Sequence, residues 1–285
     1  MKTRRMNTRF IGLALTALFF IIYSVSAVAQ PTAAQLADQV DRINEERIAQ
    51  IDRLEIVSEI TGGMLAGMET RSIYEKSTRD GRQVLVPVEV DDISEIGEFS
   101  GQFDDMMGEM IRHASSIEND TYNGAVVYRV TVDDQEYLRQ LGETAAFSAE
   151  ELDEMDGEFM PESVVIWIDR NELITYRVSM KQYIDEDIGI TVHIKLSDYQ
   201  NHSGLPIPHL MEMEVEGLDD LVSDEELAEA RRAMAELEEQ LEQMPPAQRE
   251  MIEQQLRPQI ERFEQMLEQG ELGSARIEIK EVIVN

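Results

Sequence analysis

Four runs of strand-forming residues, separated by turns, fill positions 162–216, and nothing else in the chain restricts its fold as strongly. Val164-Val165-Ile166-Trp167-Ile168 is apolar at every position, as in a central strand covered on both faces, and Asp169-Arg170-Asn171 supplies a turn. Ile174, Tyr176, Val178 and Met180 then alternate with polar residues, as do Ile190, Val192, Ile194 and Leu196. A turn at Asn201–Gly204 leads into a last run, where His209, Met211, Met213 and Val215 alternate with Glu212 and Glu214. A two-residue period with short connections predicts an antiparallel meander.

The flanking segments fit around such a sheet. Thr32 with Gln35 three residues later is a capping-box pattern, and Leu36, Val40, Ile43, Ile48 and Ile51 follow at near-helical spacing, predicting an N-terminal amphipathic helix over 31–53. Residues 54–90 read as strand. Val84, Val86, Val88 and Val90 behind Asp80-Gly81 predict a hairpin there, with Pro87 pointing to an edge strand. A helical segment over about 99–115 carries Phe99, Phe103, Met106, Met107, Met110 and Ile111, and Val126, Tyr128, Val130 and Val132 return to strand alternation. Short acidic helices are expected over 133–141 and 148–156. Over 223–269, Leu227, Ala230, Met234, Leu237, Leu241 and Met244 form one helical seam. Pro245-Pro246 turns the chain, and Ile252, Leu256, Ile260, Phe263 and Leu267 line a return helix, giving an αα-hairpin. A final strand from Ala275 to Val284 carries Ile277, Ile279 and Ile283 and is expected to rejoin the sheet. The predicted class is α+β on an antiparallel sheet.

Lys2, Arg4, Arg5 and Arg9 precede an apolar run from Phe10 to Val25, and Ala27-Val28-Ala29 follows. This is the pattern of a secretory signal peptide cleaved after Ala29, and the run is shorter than the ~20 residues a spanning helix needs. The expected domain plan is therefore a leader over 1–29 and one domain over 30–285, with the helical hairpin inserted at 223–269. The protein is expected in the periplasm, without an integral membrane segment after cleavage.

Charge excludes whole classes of partner. Asp and Glu number 58 against 25 Lys and Arg, a formal net charge of -33. Such a field repels phosphate backbones and anionic membrane surfaces, which argues against nucleic-acid binding. Lysine is scarce after the leader (Lys76, Lys181, Lys195 and Lys280), and an acidic, lysine-poor surface suits high salt, where screening hides self-repulsion. Cysteine is absent, which removes disulfides, thiolate metal sites and cysteine-linked lipid anchors.

Motifs for catalysis are absent too. The chain contains no G-x-S-x-G, no phosphate-binding G-x-x-x-x-G-K-[ST], no G-x-G-x-x-G and no H-E-x-x-H. Its four histidines, His113, His193, His202 and His209, include no i,i+4 pair for zinc. Neither an enzyme nor a metal or cofactor protein is read from these residues. Methionine stands out instead, with clusters at Met64/Met68, Met106/Met107/Met110, Met155/Met160 and Met211/Met213. Flexible, polarizable side chains of this kind fill cores and also line adaptable apolar surfaces.

Val164 to Asn171 with its returning strand to Lys181, then Leu196-Ser197-Asp198-Tyr199 and Gly204-Leu205-Pro206-Ile207-Pro208, resemble the periplasmic lipoprotein-localisation carriers (LolA/LolB-like) and the outer-membrane lipoprotein-sorting proteins. The resemblance covers 162–216, and the N-terminal half in layout. It implies an incomplete antiparallel β-barrel with helices over its concave face, enclosing an apolar cavity for the acyl chains of a lipid or lipoprotein. On that implication Trp167, Tyr176, Met180, Met211 and Met213 are candidate wall residues, and Phe103, Met106, Met107 and Met110 candidate lid residues. The αα-hairpin is an addition to the basic carrier. Two functional readings stay open: a non-catalytic carrier of lipids or lipidated proteins, and an exported interaction module that binds a protein partner through the 223–269 hairpin.

Overall fold

The computed structural model describes residues 30–62, 66–79, 81–90, 106–145, 161–185, 188–217, 232 and 274–285. The leader, Phe103, the expected helix over 148–156 and the αα-hairpin over 223–269 lie outside them, apart from the single residue Arg232. The description below concerns the unit that begins at Thr32.

Helix α1 spans Ala33–Ile48 and starts as its sequence dictates. The Thr32 hydroxyl accepts from the Gln35 amide at 3.2 Å, and the Gln35 side chain accepts from the Thr32 amide at 3.0 Å, so two otherwise unpaired donors are satisfied. Leu36, Ala37, Val40 and Ile48 form its buried stripe. Strands β1 (Arg53–Ile60), β2 (Glu69–Arg79) and β3 (Arg82–Val90) follow as one meander. A second helix, α2, covers 106–112. Strands β4 (Ala114–Tyr122) and β5 (Ala125–Val132), helix α3 (Gln135–Ala145) and strands β6 (Pro161–Asp169), β7 (Thr175–Asp185), β8 (Ile188–His202), β9 (Leu205–Glu216) and β10 (Ser274–Val284) complete the order.

All ten strands belong to one sheet, ordered β3-β2-β1-β10-β9-β8-β7-β6-β5-β4, and every described pairing is antiparallel. Two meanders are thus built outward from a shared seam. The last strand closes that seam, pairing with β9 through Ser274–Glu278 and with β1 through Ile277–Val284. Pro87 sits on edge strand β3, where a missing amide costs no inner ladder bond. The sheet is open, yet α1 packs against both of its edge strands, β3 and β4. A twisted antiparallel sheet of this width curls, and one helix fills the gap between its edges.

That gap is held by charge as well as packing. Asp41 on α1 accepts from Arg82 of β3 at 2.6 Å and from Arg112 of α2 at 2.6 Å, while Asp38 takes Arg112 at 3.0 Å. The Asp41 carboxylate leads the groups that raise the Arg112 guanidinium above its ordinary pKa. Asp41 lies directly on Gly108 of α2: a Cβ there would stand 1.8 Å from its Oδ1. Gly108→Ala is therefore expected to push Asp41 off its two arginines. Charged hydrogen bonds are worth about 1.5–3 kcal/mol each, and alanine recovers part through helix propensity, so a net loss of about 1–2 kcal/mol is expected in denaturant unfolding. A variant as stable as the wild type would contradict this packing.

The main core lies between the helices and the inner face of β5–β8. Leu36 and Val40 of α1, Met110 and Ile111 of α2 and Leu138 of α3 meet Val130, Val132, Val164, Ile166, Ile168, Val178 and Ile194. A second cluster of Ile51, Leu54, Tyr74, Leu205 and Ile207 sits where β1 and β2 approach the β8–β9 hairpin.

Candidate functional site

Alternation along the strands sends one set of side chains inward, and between the two core clusters these sets do not meet. They leave a cavity of about 230 Å³. Leu54, Ile56 and Ser58 of β1, Ser72 and Tyr74 of β2 and Val84 and Leu85 of β3 form one side. Val178 of β7, Ile194 and Leu196 of β8, Ile207 and Met211 of β9 and Ile277 and Ile279 of β10 form the other. Helices α1 and α2 contribute Ile48, Met106 and Met107. The lining is mostly aliphatic, and its charged side chains come from α1 and from the β2–β3 hairpin: Asp41, Glu45 and Arg47 with Arg79 and Arg82.

The β6–β7 loop also reaches this cavity. The Asp169 carboxylate is buried and accepts from the amides of Asn171 and Glu172, each at 2.7 Å, folding the loop into an Asx-type turn. Leu173 follows with φ of 52°, a left-handed conformation unfavourable for a branched side chain, and it is only 8 % exposed, lining the cavity. Arg47 of α1 donates to the Glu172 carbonyl and ties this loop to the helix.

The residues singled out from the sequence fall into three groups. Met106, Met107 and Met211 line the cavity. Met110 is fully buried in the main core, and Met180 and Met213 pack partly buried against that core. Trp167 and Tyr176 are not among the lining residues. Trp167 is out of phase with Ile166 and Ile168 and turns to the opposite face, where the Arg177 guanidinium lies 5.1 Å from its ring centre and Asp120 accepts from its indole N–H at 3.3 Å. Tyr176 falls at a register shift between the Trp167–Arg177 and Ile168–Thr175 pairs. It packs edge-on against Tyr199, which does line the cavity, with ring centres 6.2 Å apart.

The opposite face carries a serine–histidine–glutamate contact that no sequence motif announced. Ser179 Oγ lies 2.7 Å from His193 Nδ1, and His193 Nε2 lies 3.1 Å from Glu216 Oε1. Arg177 also points Nη2 at the same Nδ1, at 2.8 Å. Since arginine only donates, Nδ1 is assigned as an acceptor, and the proton goes to Nε2 facing Glu216. Ser179 and His193 are buried register partners within a ladder paired on both sides, so the amides of these two strands are committed to strand pairing and not to an oxyanion hole beside the hydroxyl. This is the arrangement of a satisfied polar network rather than of an activated nucleophile.

A second pairing, His202 with His209, sits on the β8–β9 hairpin, with Nε2 atoms 2.9 Å apart and rings stacked at 5.1 Å. Desolvation first, and the neighbouring His209 second, lower the His202 pKa. A base depressed in the folded state takes up its proton later than in the unfolded chain. Its contribution is present above the ordinary imidazole pKa and is lost as the pH falls through that value toward the folded one. Thermal unfolding from pH 8 to pH 5 is expected to show a smaller acid-side loss of Tm in His202→Gln than in the wild type. Parallel curves would contradict the assignment. Among the described residues no group of three or more His, Asp or Glu is placed to hold a metal ion.

No family model matches the chain, and no curated protein matches it. Solved structures that align with the chain include a domain described as a putative outer membrane lipoprotein-sorting protein domain from Vibrio parahaemolyticus, at 10% identity and TM-score 0.37, covering 87% of this chain and 93% of that one. A LolA superfamily protein from Nitrosomonas europaea aligns at 10% identity and TM-score 0.26 over 63% of this chain and 86% of its own. The lipoprotein LppX of Mycobacterium tuberculosis aligns at 13% identity and TM-score 0.22 over 52% and 87%. At these identities and scores, what this chain binds has to be read from its own cavity.

Proposed function

We propose that this protein is an exported, non-catalytic carrier that holds the apolar part of a lipid or a lipidated protein in the cavity beneath α1 and α2. The observation that carries the reading is the lining itself: aliphatic side chains from both meanders, the seam strand and two helices converge on one space. Small-molecule sites have this character, mostly apolar walls with a small number of polar groups. No helix among the described residues is long and apolar enough to cross a membrane. The leader pattern supports export.

Each methylene moved from water into an apolar site gains about 0.8 kcal/mol, close to a fourfold gain in affinity. Titration with fluorescent fatty acids of increasing chain length is therefore expected to give saturable one-to-one binding that strengthens about fourfold per added carbon until the cavity is filled. Absence of saturable binding at every chain length would overturn the carrier reading.

A further inference from the structure

Resting on the carrier reading, we propose that Ser58 of β1 and Ser72 of β2 receive a carbonyl oxygen of the ligand, and that the cargo is an uncharged acyl ester or amide. Both serines line the cavity, and they are only 9 % and 6 % exposed. Ser58 pairs with Thr70 and Ile56 with Ser72, so the two serines are diagonal neighbours on one face, about 7–8 Å apart along the backbone. Ser58 Oγ lies 2.8 Å from Thr70 Oγ1, a contact that uses one of the two O–H groups as donor and leaves the other to give. The Ser72 hydroxyl has no hydrogen-bond partner among the described residues. Two donors therefore remain in this wall, beside the lining residues Ile56 and Ile279 across the ladder.

A bare hydrocarbon laid over these hydroxyls would strip them of water and give nothing back. A carbonyl oxygen removes that cost, because one atom offers two lone pairs. Charge argues for the neutral form. No charged side chain is a ladder neighbour of either serine. Of the arginines in the lining, Arg82 is held by Asp41 and Arg47 by the Glu172 carbonyl. A carboxylate at the serines would be buried without a counter-ion, whereas an ester or amide needs only the donors already there. A fatty acid still binds through its chain, but more weakly than its ester.

The test displaces Nile red, a neutral probe, from the purified protein with three competitors of equal chain length: methyl dodecanoate, 1-methoxydodecane and the dodecanoate ion. The first two differ only in the carbonyl oxygen. The ester is expected to bind at least about fivefold tighter than the ether, as two ordinary hydrogen bonds allow, and tighter than the carboxylate. In Ser72→Ala the ester-to-ether ratio is expected to fall below about twofold, the loss of one such bond. Its Tm is expected to be no lower than that of the wild type, since the hydroxyl removed has no partner to orphan. A ratio unchanged in Ser72→Ala would overturn the assignment of the serines. A carboxylate bound tighter than the ester would overturn the uncharged cargo. Equal binding of ester and ether by the wild type would overturn the carbonyl proposal and leave the carrier reading standing. Binding of none of the three would overturn both.

Discussion

Leu196→Trp is expected to lower the affinity for a fluorescent fatty acid by more than tenfold while the fold persists. Leu196 faces the cavity from β8, directly across the ladder from Met211, another lining residue, and it is only partly buried because open space lies in front of it. An indole there fills space that an acyl chain would occupy. Losing room for two or three methylenes, at about 0.8 kcal/mol each, accounts for a loss of one to two orders of magnitude. Because the new ring enters a void, overpacking strain should be small, and Tm should move by only a few degrees. Val126→Trp is the control. Val126 is 48 % exposed and does not line this cavity, so a tryptophan there should leave the titration unchanged. Full binding by Leu196→Trp would mean that the chain lies elsewhere.

Ile166→Ala is expected to carry the largest cost in stability. Ile166 is fully buried at the middle of β6 and packs in the cluster that joins all three helices to the sheet. Truncation at such a site removes transfer energy and leaves a void, typically 2–5 kcal/mol, and about 3 kcal/mol is expected here. For a domain of this size that corresponds to a fall in Tm of roughly 6–12 °C. Its neighbour gives the contrast. Val165→Ala, on the opposite, half-exposed face of the same strand, is expected to cost about 1 kcal/mol or less. Equal losses at the two positions would contradict the assignment of the inner face.

The same strand shows where sequence periodicity stops being informative. Five consecutive apolar residues predict a central strand, and β6 pairs on both sides. They do not say which face is inner. Only the helices packed over Val164, Ile166 and Ile168 decide that Trp167 points away. Irregular pairing defeats alternation elsewhere. In β10 the register shifts so that Val57 faces Glu281 and Ser58 faces Ile279, leaving Lys280 between them. The bulge packs Val282 and Val284, partly buried, against the second core cluster and leaves Ile283, in phase with Ile277 and Ile279 by count, 36 % exposed. Tyr176 was displaced from the wall by a shift of the same kind.

Strand β4 was not legible from its apolar pattern at all. Ala114–Tyr122 is mostly polar, because an edge strand is paired on one side and needs few buried side chains. The signal available was the turn after it. Asn123 and Gly124 have φ of 49° and 85°, the left-handed pair of a tight hairpin, and Asn-Gly is the dipeptide that most readily adopts it. The cavity's charged lining was hidden for a different reason. Asp41 and Arg82 are ordinary charged positions in sequence, and only the curl of the sheet around α1 brings β3 back to the helix and pairs them. The meander, its turns and the α1 cap were readable because they are local, whereas the walls contributed by β1 to β3 depend on the closure of a long-range seam.

The central claim is that the space under α1 and α2 holds one apolar chain. Native mass spectrometry of the protein purified from its native source, followed by lipid extraction, tests it most directly, with Leu196→Trp prepared in parallel. A single acylated species bound one-to-one to the wild type and depleted in the variant is expected. The same species retained equally by both proteins, or a wild type that carries no lipid and takes none up on incubation with fatty acid, would contradict it.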